Sequence, residues 1–175
     1  MMTLIYIVAA IIILIILLAA IGPKTYNVSR SIVIDKPKEI VFPYLKMVKN
    51  QDHWSPWKKK DPDMKQTFTG TDGEVGFKAS WVGNKEVGEG SQTITAIVEN
   101  ERIENHLVFL KPWKSESDGY YTVEDAGPGQ TKVVWGFKGQ NKFPATIFML
   151  FFNMDKAVGK DFEEGLDNLK KELEA

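Results

Sequence analysis

The sequence predicts an α+β protein: a curved antiparallel sheet wrapped around one long C-terminal helix, preceded by a single transmembrane helix. Three observations predict it. An uncharged apolar run fills the N-terminus, period-two alternation recurs between turn residues through the middle of the chain, and a helical period takes over at the C-terminus.

The N-terminal run comes first. From Leu4 to Ile21 there is no charge, no Pro and no Gly, and the Tyr6 hydroxyl is the only polar side-chain group. As a helix this run satisfies its own backbone, and at about 1.5 Å per residue the stretch from Met1 to Gly22 reaches roughly 30 Å, the thickness of a hydrocarbon core. Gly22 and Pro23 end it. A cleaved secretory signal is the rival reading, and Leu18-Ala19-Ala20 offers small residues near a possible cut. Such signals carry a basic residue ahead of an apolar core of only about 7–15 residues, and this segment has neither feature. The expectation is therefore an anchor over residues 1–23 and one soluble domain over 24–175. Lys24, Arg30, Lys36 and Lys38 follow the run while Met1 to Thr3 carry no base, so the positive-inside rule places the domain in the cytoplasm. The expected location is a bacterial inner membrane, and the absence of cysteine fits a reducing compartment.

About 150 residues remain after the anchor, enough for one domain that buries roughly 70% of its unfolded surface. Basic and acidic residues nearly cancel, 22 against 23, so no global field recruits nucleic acid. Val28 to Asp35 alternates as a first strand, and Pro37 opens a helix carrying Ile40, Val41, Tyr44, Leu45 and Val48 at helical spacing. Asp52-His53-Trp54-Ser55-Pro56-Trp57 and the basic Lys58-Lys59-Lys60 follow as short helical turns or loop. Strands are then predicted over Lys65–Thr71, Val75–Trp81, Gly90–Val98, Arg102–Leu110, Gly119–Glu124 and Thr131–Lys138. Val75–Trp81 alternates most cleanly. Met154, Val158, Phe162, Leu166, Leu169 and Leu173 then mark a long amphipathic helix. Ile147 to Phe152 is too apolar for an exposed loop and too short to span a membrane, which leaves core, cavity lining or membrane contact.

A curved sheet gripping one helix leaves space between them, and Phe77, Trp81, Phe109, Tyr121, Trp135 and Phe137 are expected to point into it. Trp54, Trp57, Ala79, Phe152 and Phe162 complete the expected lining.

Several local patterns carry a family resemblance. They are Trp54-Ser55-Pro56-Trp57 with Asp61-Pro62, Trp81-Val82-Gly83-Asn84 with Gly88-Glu89-Gly90, and the stretch Gly159 to Lys170. In this order, over roughly Tyr26 to Glu174, the chain resembles the SRPBCC superfamily, the START-like or helix-grip fold of polyketide cyclases and lipid-transfer domains. The resemblance implies a deep apolar cavity rather than a particular reaction.

Catalytic signals are sparse. Only His53 and His106 titrate near neutrality without help; His106 lies on the strand face opposite Leu107 and Phe109, and His53 reads as an ordinary hydrogen-bonding residue. No residue is assigned as catalytic. No metal constellation, nucleophile elbow or phosphate loop occurs, so no cofactor is expected. Gly159 and Gly165 read as small residues that let the last helix lie close to the sheet. Lys58-Lys59-Lys60 and Trp113 read as solvated surface, with contact to anionic headgroups as the alternative. The function expected is a membrane-anchored START-like domain that binds a lipid or other hydrophobic small molecule between sheet and terminal helix. A cyclase- or dehydratase-like enzyme and a co-chaperone-like interaction protein are the alternatives, and no protein partner is identifiable.

Overall fold

The computed structural model describes residues 2–175. Helix α1 (Met2–Ile21) is long and apolar enough to cross a membrane, and by length and composition it fits an anchor or a signal sequence. Met2 to Leu17 are exposed, and only Leu18 and Ala19 are half-buried. The following Gly22 is buried against the backbone of Thr146, so close that any Cβ would collide with its carbonyl.

Seven strands follow: β1 (Thr25–Ile34), β2 (Lys65–Thr69), β3 (Lys78–Val82), β4 (Glu89–Val98), β5 (Arg102–Lys111), β6 (Ser115–Gly127) and β7 (Gln130–Gln140). They form one sheet in the order β1-β7-β6-β5-β4-β3-β2, and every neighbouring pair is antiparallel. Period-two alternation sends Ile103, Asn105, Leu107 and Phe109 of β5 to the inner face and His106 to the outer one. Bulges between Glu89 and Gly90, Ile94 and Ala96, and Asp125 and Gly127 bend the sheet.

Between β1 and β2 run α2 (Lys38–Lys46), a 3₁₀ turn (Val48–Asn50), α3 (Gln51–Trp54) and α4 (Pro56–Lys60). Pro37 is the N-cap of α2 rather than its first residue, and Pro56 occupies the first turn of α4, where its missing N–H costs nothing. Short α5 (Ala145–Phe148) and long α6 (Met154–Glu174) close the chain. Asn153 starts α6 by accepting a hydrogen bond from the Lys156 amide at 2.9 Å. This sheet and its terminal helix form the expected helix-grip arrangement.

Two glycines decide how α6 lies on the sheet. The Gly165 backbone rests on the Trp135 ring, where a Cβ would come within 2.6 Å of Cζ3, and the space beside Gly159 is filled by the Arg30 guanidinium. Arg30 reaches from β1 to donate to Glu163 at 2.6 Å and to Asp155 at 2.8 Å. Lys170 donates to the Val33 carbonyl of β1 at 2.7 Å. Away from α1, the core is closed by Val41, Phe42 and Leu45 of α2, Leu166 and Leu169 of α6, and Ile34, Ile103, Val123 and Val133 of the sheet, all buried.

The strand expected over Val75–Trp81 begins only at Lys78. Gly73 and Gly76 have φ of +80° and +92°, so the chain turns through the first half of that alternating run. Val75 is left exposed, whereas Phe77 is buried and stacks on Phe68 at 6.0 Å. Strand β6 begins before the expected Gly119, because Ser115 and Ser117 pair with Phe109 and Leu107. Likewise β1 begins before Val28, with Thr25 opposite Gln140.

Candidate functional site

A cavity of about 470 Å³ lies between the inner face of the sheet and the first half of α6, on the side of the domain nearer α1. Its volume falls in the roughly 300–1,000 Å³ range of small-molecule sites. Inner-face alternation supplies the walls: Ala79 and Trp81 from β3, Leu107 and Phe109 from β5, Tyr121 from β6, and Trp135 and Phe137 from β7. Met154, Val158 and Phe162 of α6 form the roof, and Trp57 of α4 one flank. The aromatic rings lock one another in place. Trp135 stacks on Phe162 at 4.2 Å and meets the Trp57 edge at 5.4 Å, while Trp81 meets Phe109 at 6.0 Å.

Of the eleven side chains expected to line this space, Trp57, Ala79, Trp81, Phe109, Tyr121, Trp135, Phe137 and Phe162 reach it, and three do not. Trp54 is fully buried behind the wall, edge-on to Trp135 and Tyr121, so it supports the lining from within the core. Phe77 is drawn into the core by the glycine turn before β3. Phe152 precedes the α6 cap and lines a separate groove with Pro23, Asn141, Leu150 and Phe151.

A polar strip crosses the otherwise apolar wall. Buried Asn105 accepts from Gln92 Nε2 at 3.4 Å, Tyr26 and Ser117 share a hydrogen bond of 2.5 Å, and Gln51 Nε2 donates to the Tyr121 hydroxyl at 3.4 Å. Burial pushes the Tyr121 hydroxyl far above its ordinary pKa, so it stays a neutral donor and acceptor. Burial also raises Tyr26, with the Asp118 charge adding to the rise and the Ser117 hydrogen bond opposing it. Sequence reasoning missed this strip. Asn105 shares parity with Leu107 and Phe109 and could have been found that way, whereas Ser117 and Tyr26 precede the strands expected from Gly119 and Val28, and Gln51 comes from α3.

Three carboxylates border the cavity: Asp52 accepts from Gln66 Nε2 at 2.9 Å, Asp161 pairs with Lys60 at 2.6 Å, and Glu86 is exposed at the turn between β3 and β4. His53 is exposed on α3, and His106 lies on the outer face with Nδ1 3.2 Å from Asp118. Neither histidine borders the cavity. Lys59 and Lys60 are tied to α6 through Asn168 and Asp161, and Lys58 to the Pro62 carbonyl. The basic run is thus surface bracing rather than a free cationic patch.

The family model described as polyketide cyclase / dehydrase and lipid transport matches residues 25–174. The chain belongs to this family. Solved structures share the fold of this polyketide cyclase / dehydrase member. A protein of Nitrosospira multiformis aligns at 22% identity over 85% of this chain and 96% of its own, with a TM-score of 0.59. Protein Mll3558 of Rhizobium loti aligns at 16% identity over 85% and 96%, with a TM-score of 0.62. The Zhui aromatase/cyclase from Streptomyces sp. R1128 aligns at 12% identity over 86% and 94%, with a TM-score of 0.59. No curated protein matches the sequence. Family membership and the apolar cavity together support a hydrophobic-ligand-binding domain.

Proposed function

We propose that this protein is a membrane-tethered binding module: α1 spans the bilayer as its single anchor, and residues 24–175 hold a lipid or other hydrophobic small molecule between sheet and α6. The observation that carries the reading is the cavity itself, apolar on most sides and crossed by the uncharged strip of Asn105, Ser117 and Tyr121. Such a wall favours an amphipathic ligand whose apolar body fills the space while one hydroxyl or carbonyl meets the strip. Affinity then comes from apolar burial at roughly 25 cal/mol per Å², less the cost of association.

Mass spectrometry of organic extracts from the purified full chain tests this. A co-purifying hydrophobic compound, displaced from the protein in proportion to an added competitor dye, is the expected result. An empty extract together with no dye binding would remove the reading. Orientation is tested by C-terminal fusions. A cytoplasmic reporter should be active, and alkaline phosphatase activity in its place would put the domain on the other side.

A cyclase- or dehydratase-type enzyme is the second reading, favoured by Asp52, a carboxylate that borders the cavity while held by Gln66. The two readings part at Asp52→Asn. A binder keeps its extracted compound unchanged, whereas an enzyme accumulates the unconverted precursor.

A further inference from the structure

From Trp113, on the edge of the cavity, across α5 and its flanks the surface is aromatic. Trp113 is 73% exposed, Phe143 66%, Phe148 53% and Phe151 81%, each far beyond what a lone surface apolar residue requires. These side chains come from two segments that meet in space: Trp113 from the β5–β6 loop lies 6.4 Å from Phe148 of α5, and Phe148 stacks on Phe152 at 5.4 Å. Trp113 and Pro112 also border the cavity, as do Met154 and Val158 at the start of α6. The same cluster adjoins the end of α1, because Gly22 packs against Thr146 of α5 and the Asn141 amide donates to the Lys24 carbonyl at 2.8 Å. Exposed Lys24, Lys114, Lys142 and Lys156 stand next to these segments in the chain. Aromatic rings with lysines beside them are the pattern of side chains that settle at an anionic membrane–water interface.

We propose that this aromatic collar inserts into the interface of the anionic phospholipid bilayer that holds α1, so that the cavity opens onto the membrane and takes its ligand from it. The proposal rests on the reading of α1 as an anchor. Given that anchor, the packing of Gly22 on Thr146 leaves no linker between helix and collar, and α5 is held at the level where the chain leaves the hydrocarbon. At the opposite end of the domain Glu124, Asp125 and Glu99 are exposed and paired with Lys132, Lys38 and Lys46, and no aromatic cluster of this kind accompanies them.

The test uses the full chain in vesicles of phosphatidylcholine and phosphatidylglycerol. The protein contains no cysteine, so Phe151→Cys, Ile12→Cys and Asp125→Cys each carry one environment-sensitive fluorophore. Phe151 is mostly solvent-exposed, so its replacement removes no packed core contact. The labels at 12 and 151 should be quenched by spin-labelled lipid several-fold more than the label at 125, and iodide should show the reverse order. A quenched label at 12 with an iodide-accessible label at 151 overturns the collar while leaving the anchor intact. A label at 12 that lipid does not quench overturns the anchor and the collar with it. Shielding of 151 from both quenchers assigns the collar to contact between copies of the chain, which also overturns it. Loading is read separately: Phe151→Asp should slow uptake of a dansyl fatty acid from the same vesicles several-fold, and an unchanged rate defeats the claim that the cavity fills from the bilayer.

Discussion

The two ends of the sheet are filled by the same alternation and differ in what stands at the inner positions. Remote from α1, Ile103, Val123 and Val133 interlock with Phe42, Leu45, Leu166 and Leu169, and no space is left. Nearer α1, the equivalent inner positions carry Ala79, Asn105, Ser117 and Gly119 between the large rings, and the helix above them spans a hollow. Along β6 alone the change is visible, from Ser117 and Gly119 to Tyr121 and Val123. The comparison teaches that side-chain volume at alternate strand positions, rather than a change in backbone architecture, separates the part that stabilises from the part that binds.

The largest effect should come from truncation in the filled half. Phe42→Ala removes a buried ring from a site that cannot collapse, and should cost about 3–5 kcal/mol in denaturant unfolding. Leu107→Ala enlarges a space that already exists, and should cost about 1 kcal/mol or less. Equal losses at the two positions would erase the distinction between the halves.

Filling the hollow sharpens it from the other side. Ala79→Trp should abolish binding of an environment-sensitive dye while unfolding stability changes by less than about 1 kcal/mol, because overpacking costs its usual 1–3 kcal/mol only where the core is full. Unfolding of this variant would mean that the site is close-packed, and the interaction-protein alternative would replace the binder.

The smallest expected effect lies at the clamp over the hollow. The Arg30 hydrogen bond holds the Asp155 carboxyl below its ordinary value of 3.8. A carboxylate with a depressed folded-state pKa contributes stability above the unfolded value and loses it as pH falls through the folded one. The Tm difference between wild type and Asp155→Asn should therefore be small at pH 7 and vanish in acid, and solvent screening keeps it modest. A difference that grows toward acid would contradict the pairing.

Much of this division was legible in the sequence. The alternation of β5 and β7 and the three-to-four spacing of α6 name their inner faces directly, because those segments bury one side and wet the other. In β4, by contrast, the bulge between Ile94 and Ala96 shifts the parity so that Ile97 rather than Val98 packs on the core. Val75–Trp81 misled for a physical reason: its alternation continues through a turn that Gly73 and Gly76 create, and periodicity carries no information about the sign of φ. Trp54 misled differently. Its place depends on how α3 sits behind Trp135, a tertiary contact that local pattern does not encode. For Ile147 to Phe152 the sequence leaves core, lining or membrane contact open, and the exposure of Phe148 and Phe151, a tertiary property, removes core for those two rings.

The attachment of α6 has a mechanical consequence. Its C-terminal half is embedded in packed side chains and held to β1 by Lys170, while its first turn, ahead of the Phe162 stack and the Lys60–Asp161 pair, borders the cavity and is tied to β1 through Asp155 by the Arg30 guanidinium. Such a beam, fixed at one end and pinned at the other, concentrates its bending near the pin. Amide exchange should accordingly be faster from Met154 to Val158 than from Leu166 to Leu169 without global unfolding. The volume above the sheet then breathes with the motion of a single turn, and the strength of one surface ion pair sets its compliance.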